Sequence, residues 1–126
     1  MSTIRAVRVE TCGAAEQMTV QAIPESAPGP KEVRIRMSAC GINLIDTYHR
    51  SGLYPLPLPT GLGCEGAGVV DAVGEGVDDL VVGDRVAFAM AMGAYAESIV
   101  LPRASLVRVP AEVSDEQAAA VLLKAM

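Results

Sequence analysis

Glycine and proline cut the first 110 residues of this chain into pieces too short for long helices, and the pieces between them read as strands. Ile4-Arg5-Ala6-Val7-Arg8-Val9-Glu10 alternates apolar and charged residues, the period-two pattern of a half-buried strand. Cys12-Gly13 closes that run, and Met18 to Ile23 offers a second strand. Beyond the turn signal Pro28-Gly29-Pro30, the segment Glu32-Val33-Arg34-Ile35-Arg36-Met37 alternates again, with its long charged side chains placed for a solvent-facing side. Gly66 to Val73 is a glycine-punctuated apolar run suited to a buried strand with close backbone approach. Gly74-Glu75-Gly76 and Val82-Gly83-Asp84 read as turns, and Arg85 to Phe88, Tyr95 to Leu101 and Leu106 to Val109 as further short strands. So many short strands at close spacing predict a mainly β barrel or sandwich rather than a βαβ fold.

Only the last segment changes character. Ser114-Asp115-Glu116-Gln117 is a capping box, with Ser114 as N-cap and Gln117 three residues on. Asp115 and Glu116 complement the positive end of the helix dipole. The helix runs on through Ala118-Ala119-Ala120-Val121-Leu122-Leu123-Lys124-Ala125-Met126 with no Gly, Asn or Pro to end it, which predicts that it leads toward a further domain.

A length of 126 residues is that of one domain, here residues 1–126. No run approaches the ~18 apolar residues of a membrane span, and charges stand in the opening MSTIRAVRVE where a signal peptide needs an apolar stretch. A soluble, cytoplasmic protein is therefore expected. The net charge of −5, with ten basic residues scattered among fifteen acidic ones, argues against nucleic acid. Cys12, Cys40 and Cys64 are widely spaced and odd in number, which fits packing residues in a reducing compartment rather than a disulfide framework.

The stretch Cys40 to Val70 is too irregular for core and too rich in specific groups for a linker. Asn43 carries both an amide donor and an acceptor, suited equally to a ligand and to loop backbone. Asp46 reads as the N-cap of a short helical turn, Asp46 to Ser51, closed by Gly52. Tyr48 and Tyr54, two of the three tyrosines, fall in this one segment. A phenol there either anchors packing or stacks on a flat ligand. His49 is the only histidine and has no evident acid or nucleophile partner in sequence. Glu65, between Cys64 and Gly66, is expected to be buried and hydrogen-bonded near a cleft. Gly61-Leu62-Gly63-Cys64-Glu65-Gly66 spells G-x-G-x-x-G, but it lacks the preceding strand and following helix that make that motif bind phosphate.

Taken together, Gly41-Ile42-Asn43, Asp46-Thr47-Tyr48, Arg50-Ser51-Gly52-Leu53-Tyr54-Pro55, Gly61-Leu62-Gly63, Gly66-Ala67-Gly68-Val69-Val70, Val73-Gly74, Val82-Gly83-Asp84-Arg85-Val86 and Leu122-Leu123-Lys124 resemble one family in order and spacing. The chain resembles the catalytic domain of the zinc-independent, zeta-crystallin-like NADPH:quinone oxidoreductases of the medium-chain dehydrogenase/reductase superfamily. The resemblance implies a GroES-like, partly closed β-barrel followed by a Rossmann domain for NADPH. It places Asn43, Leu44, Ile45, Asp46, Thr47 and Tyr48 against the nicotinamide end of the cofactor, Lys124 near its phosphate or ribose, and Tyr48, Tyr54 and Asn43 about the acceptor. It also implies a quinone or enone substrate and a homodimer in the full-length form. A fragment lacking the cofactor domain is expected to be inactive by itself. An enone or enoyl-thioester reductase shares this logic, and a stand-alone GroES-like binding module is the alternative from another class.

Zinc-dependent alcohol dehydrogenases of the same fold place metal ligands at positions that correspond here to Asn43 and Cys64. Asn is a poor zinc ligand, a lone Cys cannot hold the ion, and Phe88 to Ser98 contains no cysteine of a structural zinc lobe. No metal is expected on this reading.

Overall fold

The computed structural model describes residues 2–125, with side chains through Leu123. Among the described residues eight strands are formed: β1 (Thr3–Val9), β2 (Met18–Pro24), β3 (Glu32–Cys40), β4 (Thr60–Gly61), β5 (Gly66–Val73), β6 (Arg85–Phe88), β7 (Ser98–Pro102) and β8 (Leu106–Arg108). Two α-helices, α1 (Leu44–Ser51) and α2 (Asp115–Ala125), complete the regular structure beside short 3-10 turns. The strands make a three-stranded sheet in the order β2-β1-β4 and a five-stranded sheet in the order β7-β3-β5-β6-β8. Every pairing is antiparallel.

The sheets meet where Ala6 bridges Ala96, flanked by Val7 N–H donating to the Tyr95 carbonyl at 2.8 Å and Glu97 N–H donating to Arg5 O at 3.0 Å. This seam curls the two sheets together into a partly closed barrel. Period-two alternation decides which face each strand buries. On β3, Val33 and Ile35 point into the core while Arg36 is exposed and Arg34 pairs with Asp71 at 2.8 Å and Glu25 at 3.4 Å. Opposite Ile35 stands Val70, and with Leu80, Val86, Phe88, Ala94, Leu101 and Leu106 these residues fill the barrel. A one-residue slip of β3 would turn its arginines inward, so register is strongly specified.

Sequence expectations for β5 and β6 match to the residue, whereas the run from Tyr95 becomes a strand only at Ser98. The cause is a tertiary contact: Tyr95 N–H is taken by Leu62 O at 2.9 Å, which diverts the chain before the ladder begins. Helix α2 lies over the outer face of the five-stranded sheet, with Ala118 and Ala119 against Ala67 and Ala87. Small side chains there let helix and sheet approach closely. Its capping box is made as expected, Gln117 N–H donating to Ser114 Oγ at 3.1 Å and Ser114 N–H to Gln117 Oε1 at 3.0 Å. After Gly61-Leu62-Gly63-Cys64-Glu65-Gly66 comes strand β5, not a helix, although the two-residue β4 does end at Gly61. No helix among the described residues is long and apolar enough to cross a membrane.

Candidate active site

Helix α1 positions the polar groups. Asp46 is not its N-cap: the helix starts at Leu44, Asn43 occupies the cap and Asp46 is the third helical residue. Asp46 Oδ2 accepts the Asn43 N–H at 3.1 Å, so the carboxylate satisfies an amide that the helix leaves unpaired. Gly52 ends the helix as expected, at φ +89° in the left-handed region where a side chain is strained. Asn43 Nδ2 donates to Glu65 Oε2 at 2.6 Å, and Glu65 Oε1 accepts the N–H of Leu123 in α2 at 3.1 Å. Glu65 is wholly buried, as anticipated, and ties the start of α1 to the second helix.

Tyr95 was not among the residues the sequence singles out, yet its hydroxyl donates a short hydrogen bond to Asp46 Oδ2. Burial first, and then this bond, holds the phenol well above its ordinary range. The backbone makes room for the ring at Gly63: its φ is +95°, and a Cβ there would stand 2.6 Å from Tyr95 Cδ1. The available sequence signals were Gly63 itself and the third tyrosine, but neither points to Asp46 on its own.

These groups border a largely apolar cavity of about 430 Å³, lined by Asn43, Asp46, Thr47, Arg50, Leu62 and Tyr95 together with Met18, Cys40 and Ile42. Of the run assigned to the nicotinamide, Asn43, Asp46 and Thr47 face this cavity, whereas Leu44, Ile45 and Tyr48 do not line it. Leu44 is instead exposed, beside Ile42, which is 81% exposed. Tyr48 and Tyr54 pack edge-on against each other with ring centres 5.1 Å apart, outside the cavity lining. Tyr54 is half exposed at 49%. The side chain of Lys124 lies outside the described residues.

The fold adds neighbours to Cys64 and His49 that the sequence does not show. His49 lacked an acid partner in sequence and Cys64 stood alone. In the structure Asp46, His49 and Cys64 are all buried, and each offers a donor atom within 4.8 Å of the others. The i, i+3 spacing of Asp46 and His49 puts both on one face of α1, a signal present in the sequence and unused. The Cys64 thiol is pushed up to about 11, by burial first, then by the charge of Asp46 and a hydrogen bond to it, and last by the charge of Glu65.

Comparison with known proteins agrees with this architecture. A family model, the alcohol dehydrogenase GroES-like domain, matches residues 29–111. The chain is 53% identical over 116 residues to a quinone oxidoreductase of Pseudomonas aeruginosa, covering 90% of this chain and 36% of that protein. A crystal structure of the quinone oxidoreductase of Pseudomonas syringae pv. tomato superposes with a TM-score of 0.93 at 51% identity, over 96% of this chain and 38% of that one. Another, of Escherichia coli quinone oxidoreductase complexed with NADPH, superposes with a TM-score of 0.92 at 42% identity, over 95% of this chain and 37% of that one. The chain thus spans little more than a third of the length of each of these relatives. By its family match and its barrel, the chain belongs to the alcohol dehydrogenase GroES-like domain family, and it is similar to quinone oxidoreductases of the medium-chain dehydrogenase/reductase superfamily.

Proposed function

We propose that residues 1–126 are the acceptor-binding domain of a cytoplasmic, homodimeric NADPH:quinone oxidoreductase, in which hydride passes from the cofactor to a quinone without a metal at the reacting atoms. The observation that carries the reading is the apolar cavity with Asn43, Asp46, Thr47, Arg50 and Tyr95 on its wall. That lining suits a flat, weakly polar ring held by a few fixed hydrogen bonds. Identity to quinone oxidoreductases along nearly the whole chain supports it.

NADPH supplies the hydride when bound. Asn43 and Thr47 are the groups of this chain placed to meet its nicotinamide end, and an amide with a hydroxyl fits the carboxamide and ribose of that group. Asp46 holds Asn43 through its backbone N–H while Glu65 holds it through its side chain, so the amide enters the reaction already oriented. Arg50, whose Nε donates to Gly13 O at 3.2 Å, brings fixed positive charge to the wall where negative charge develops on the acceptor oxygen. The Tyr95 proton is committed to Asp46, so Tyr95 is a positioning residue and the reduced acceptor takes its proton from water. Tyr48 and Tyr54, packed edge to face, are expected from the family resemblance beside the quinone, although neither lines the cavity.

The test is NADPH oxidation by the full-length protein with a benzoquinone, an enone and an enoyl thioester, in the presence of chelator. Quinone turnover that survives the chelator supports the reading. Turnover of the enone or thioester alone, or none at all, overturns it.

A further inference from the structure

Most arginines of this chain meet a carboxylate. Arg5, Arg34, Arg85, Arg103 and Arg108 each stand at 2.8 to 3.3 Å from an Asp or Glu oxygen. Arg50 does not, although it is half-buried and lines the apolar cavity. Its natural partner is Asp46, one turn back on α1 at the i, i+4 spacing that favours an ion pair. That carboxylate is turned elsewhere: Asp46 Oδ2 accepts the Asn43 N–H at 3.1 Å and the Tyr95 hydroxyl.

The stem of Arg50 is fixed all the same. Its Nε donates to Gly13 O at 3.2 Å, and Gly13 N–H donates back to the Arg50 carbonyl at 3.0 Å. A guanidinium carries five N–H donors. Among the described residues the other four have no acceptor. A positive charge drawn partly out of water is costly unless it is paired. Arg8 and Arg36 also form no ion pair among the described residues, but neither lines the cavity.

We propose that Arg50 anchors a carboxylate on the acceptor, so that the substrate class is a quinone bearing a carboxylate beside its reducible carbonyl. This rests on the cavity being the acceptor site, as proposed above. The planar fork of a guanidinium matches a carboxylate through two parallel hydrogen bonds. A carbonyl oxygen has two lone pairs and so takes at most two of the four spare donors. A carboxylate next to it takes the others. No other Arg or Lys lines the cavity, so one cation meets one negative charge, which favours a carboxylate over a dianionic phosphate. Met18, Ile42 and Leu62 supply apolar wall for the ring. The carboxylate takes no part in the hydride transfer and sets only where the ring lies.

The experiment compares carboxybenzoquinone with its methyl ester as acceptors for the full-length protein and for its Arg50→Gln and Arg50→Lys variants. The ratio of kcat/KM, acid over ester, should fall about 10–100-fold in Arg50→Gln, the range expected for hydrogen bonds to a charged group. The intrinsic reactivities of the two acceptors cancel from that comparison. Arg50→Lys keeps the charge and loses the fork, so its ratio should lie between the two. The KM for NADPH should stay where it is. Benzoate, which cannot be reduced, gives a second readout on the unaltered protein: calorimetry should show it binding in competition with the quinone, and benzamide binding far more weakly. A ratio that survives Arg50→Gln, a variant whose NADPH KM rises instead, or benzoate bound no better than benzamide overturns the proposal. The two readings fail separately. Selective benzoate binding without quinone turnover leaves the carboxylate subsite standing while the quinone reading falls, and turnover indifferent to the carboxylate does the reverse.

Discussion

Phe88 and Glu65 are both completely buried, yet they belong to regions built on opposite principles. Around Phe88 the barrel is filled by Val33, Ile35, Val70, Val86 and Leu106, and stability there follows from apolar area and close packing. Around Glu65 the chain buries two carboxylates, an imidazole and a thiol, with the half-buried phenol of Tyr95 bonded to Asp46. Burying such groups is costly unless they are paired. Glu65 and Asp46 Oδ2 are held by backbone amides, the Asn43 side chain and Tyr95, whereas Asp46 Oδ1 and His49 Nδ1 are not. The barrel is thus held by packing, and the polar cluster by a few specific hydrogen bonds. That contrast is what marks the cluster as the functional region.

The contrast is sharpest under substitution. Phe88→Ala should cost about 3–5 kcal/mol in a denaturant melt, with the cavity under α1 retaining its shape. Loss of activity out of proportion to unfolding in that variant would break the separation between the regions. Tyr95→Phe should cost less, about 1–3 kcal/mol, because it strips one donor from buried Asp46 rather than emptying a volume. Unlike Phe88→Ala, it should lower turnover in protein that remains fully folded, as read by steady-state kinetics alongside the melt.

Thiol chemistry probes the same difference at smaller energy. Exposed Cys40 should react with an alkylating reagent before buried Cys64, as resolved by mass spectrometry over time. Burial lifts the Cys64 thiol from 9.0 to about 11, so its native form keeps a proton that the unfolded form gives up. The stability this contributes is fully present below the ordinary thiol range and is lost as pH rises through about 11. Replacement of Cys64 by Ala should therefore flatten the alkaline limb of stability against pH.

The smallest effect belongs to the surface. The Arg103 hydrogen bond, ahead of the charges, holds the Asp79 carboxyl below its usual range. Its contribution is present above that range and fades as pH falls through the lowered value. Asp79→Asn should shift the thermal midpoint little at neutral pH, as for most exposed ion pairs. A large shift would show that surface charge, and not the barrel, carries the stability.

Much of this protein is legible along the chain because it is local. Alternation in Glu32 to Met37, the glycine-spaced run of β5, the Ser114–Gln117 box and the Gly52 terminator each follow from backbone geometry within a few residues, and each stands where expected. The start of α1 was misplaced because Asn and Asp are both good caps; a 3.1 Å bond from the Asn43 amide back to Asp46 settled the choice. The site itself is a different matter. Tyr95 reaches Asp46 across 49 residues, Glu65 joins Asn43 to Leu123 from 22 residues on one side and 58 on the other, and Cys64 meets His49 only in the folded chain. Sequence alone determined strands, caps and turns, since those depend on neighbours a few bonds away. The tertiary structure decided which polar groups share one low-dielectric pocket, because only closure of the barrel onto α1 brings them together and removes the water that would otherwise pair them.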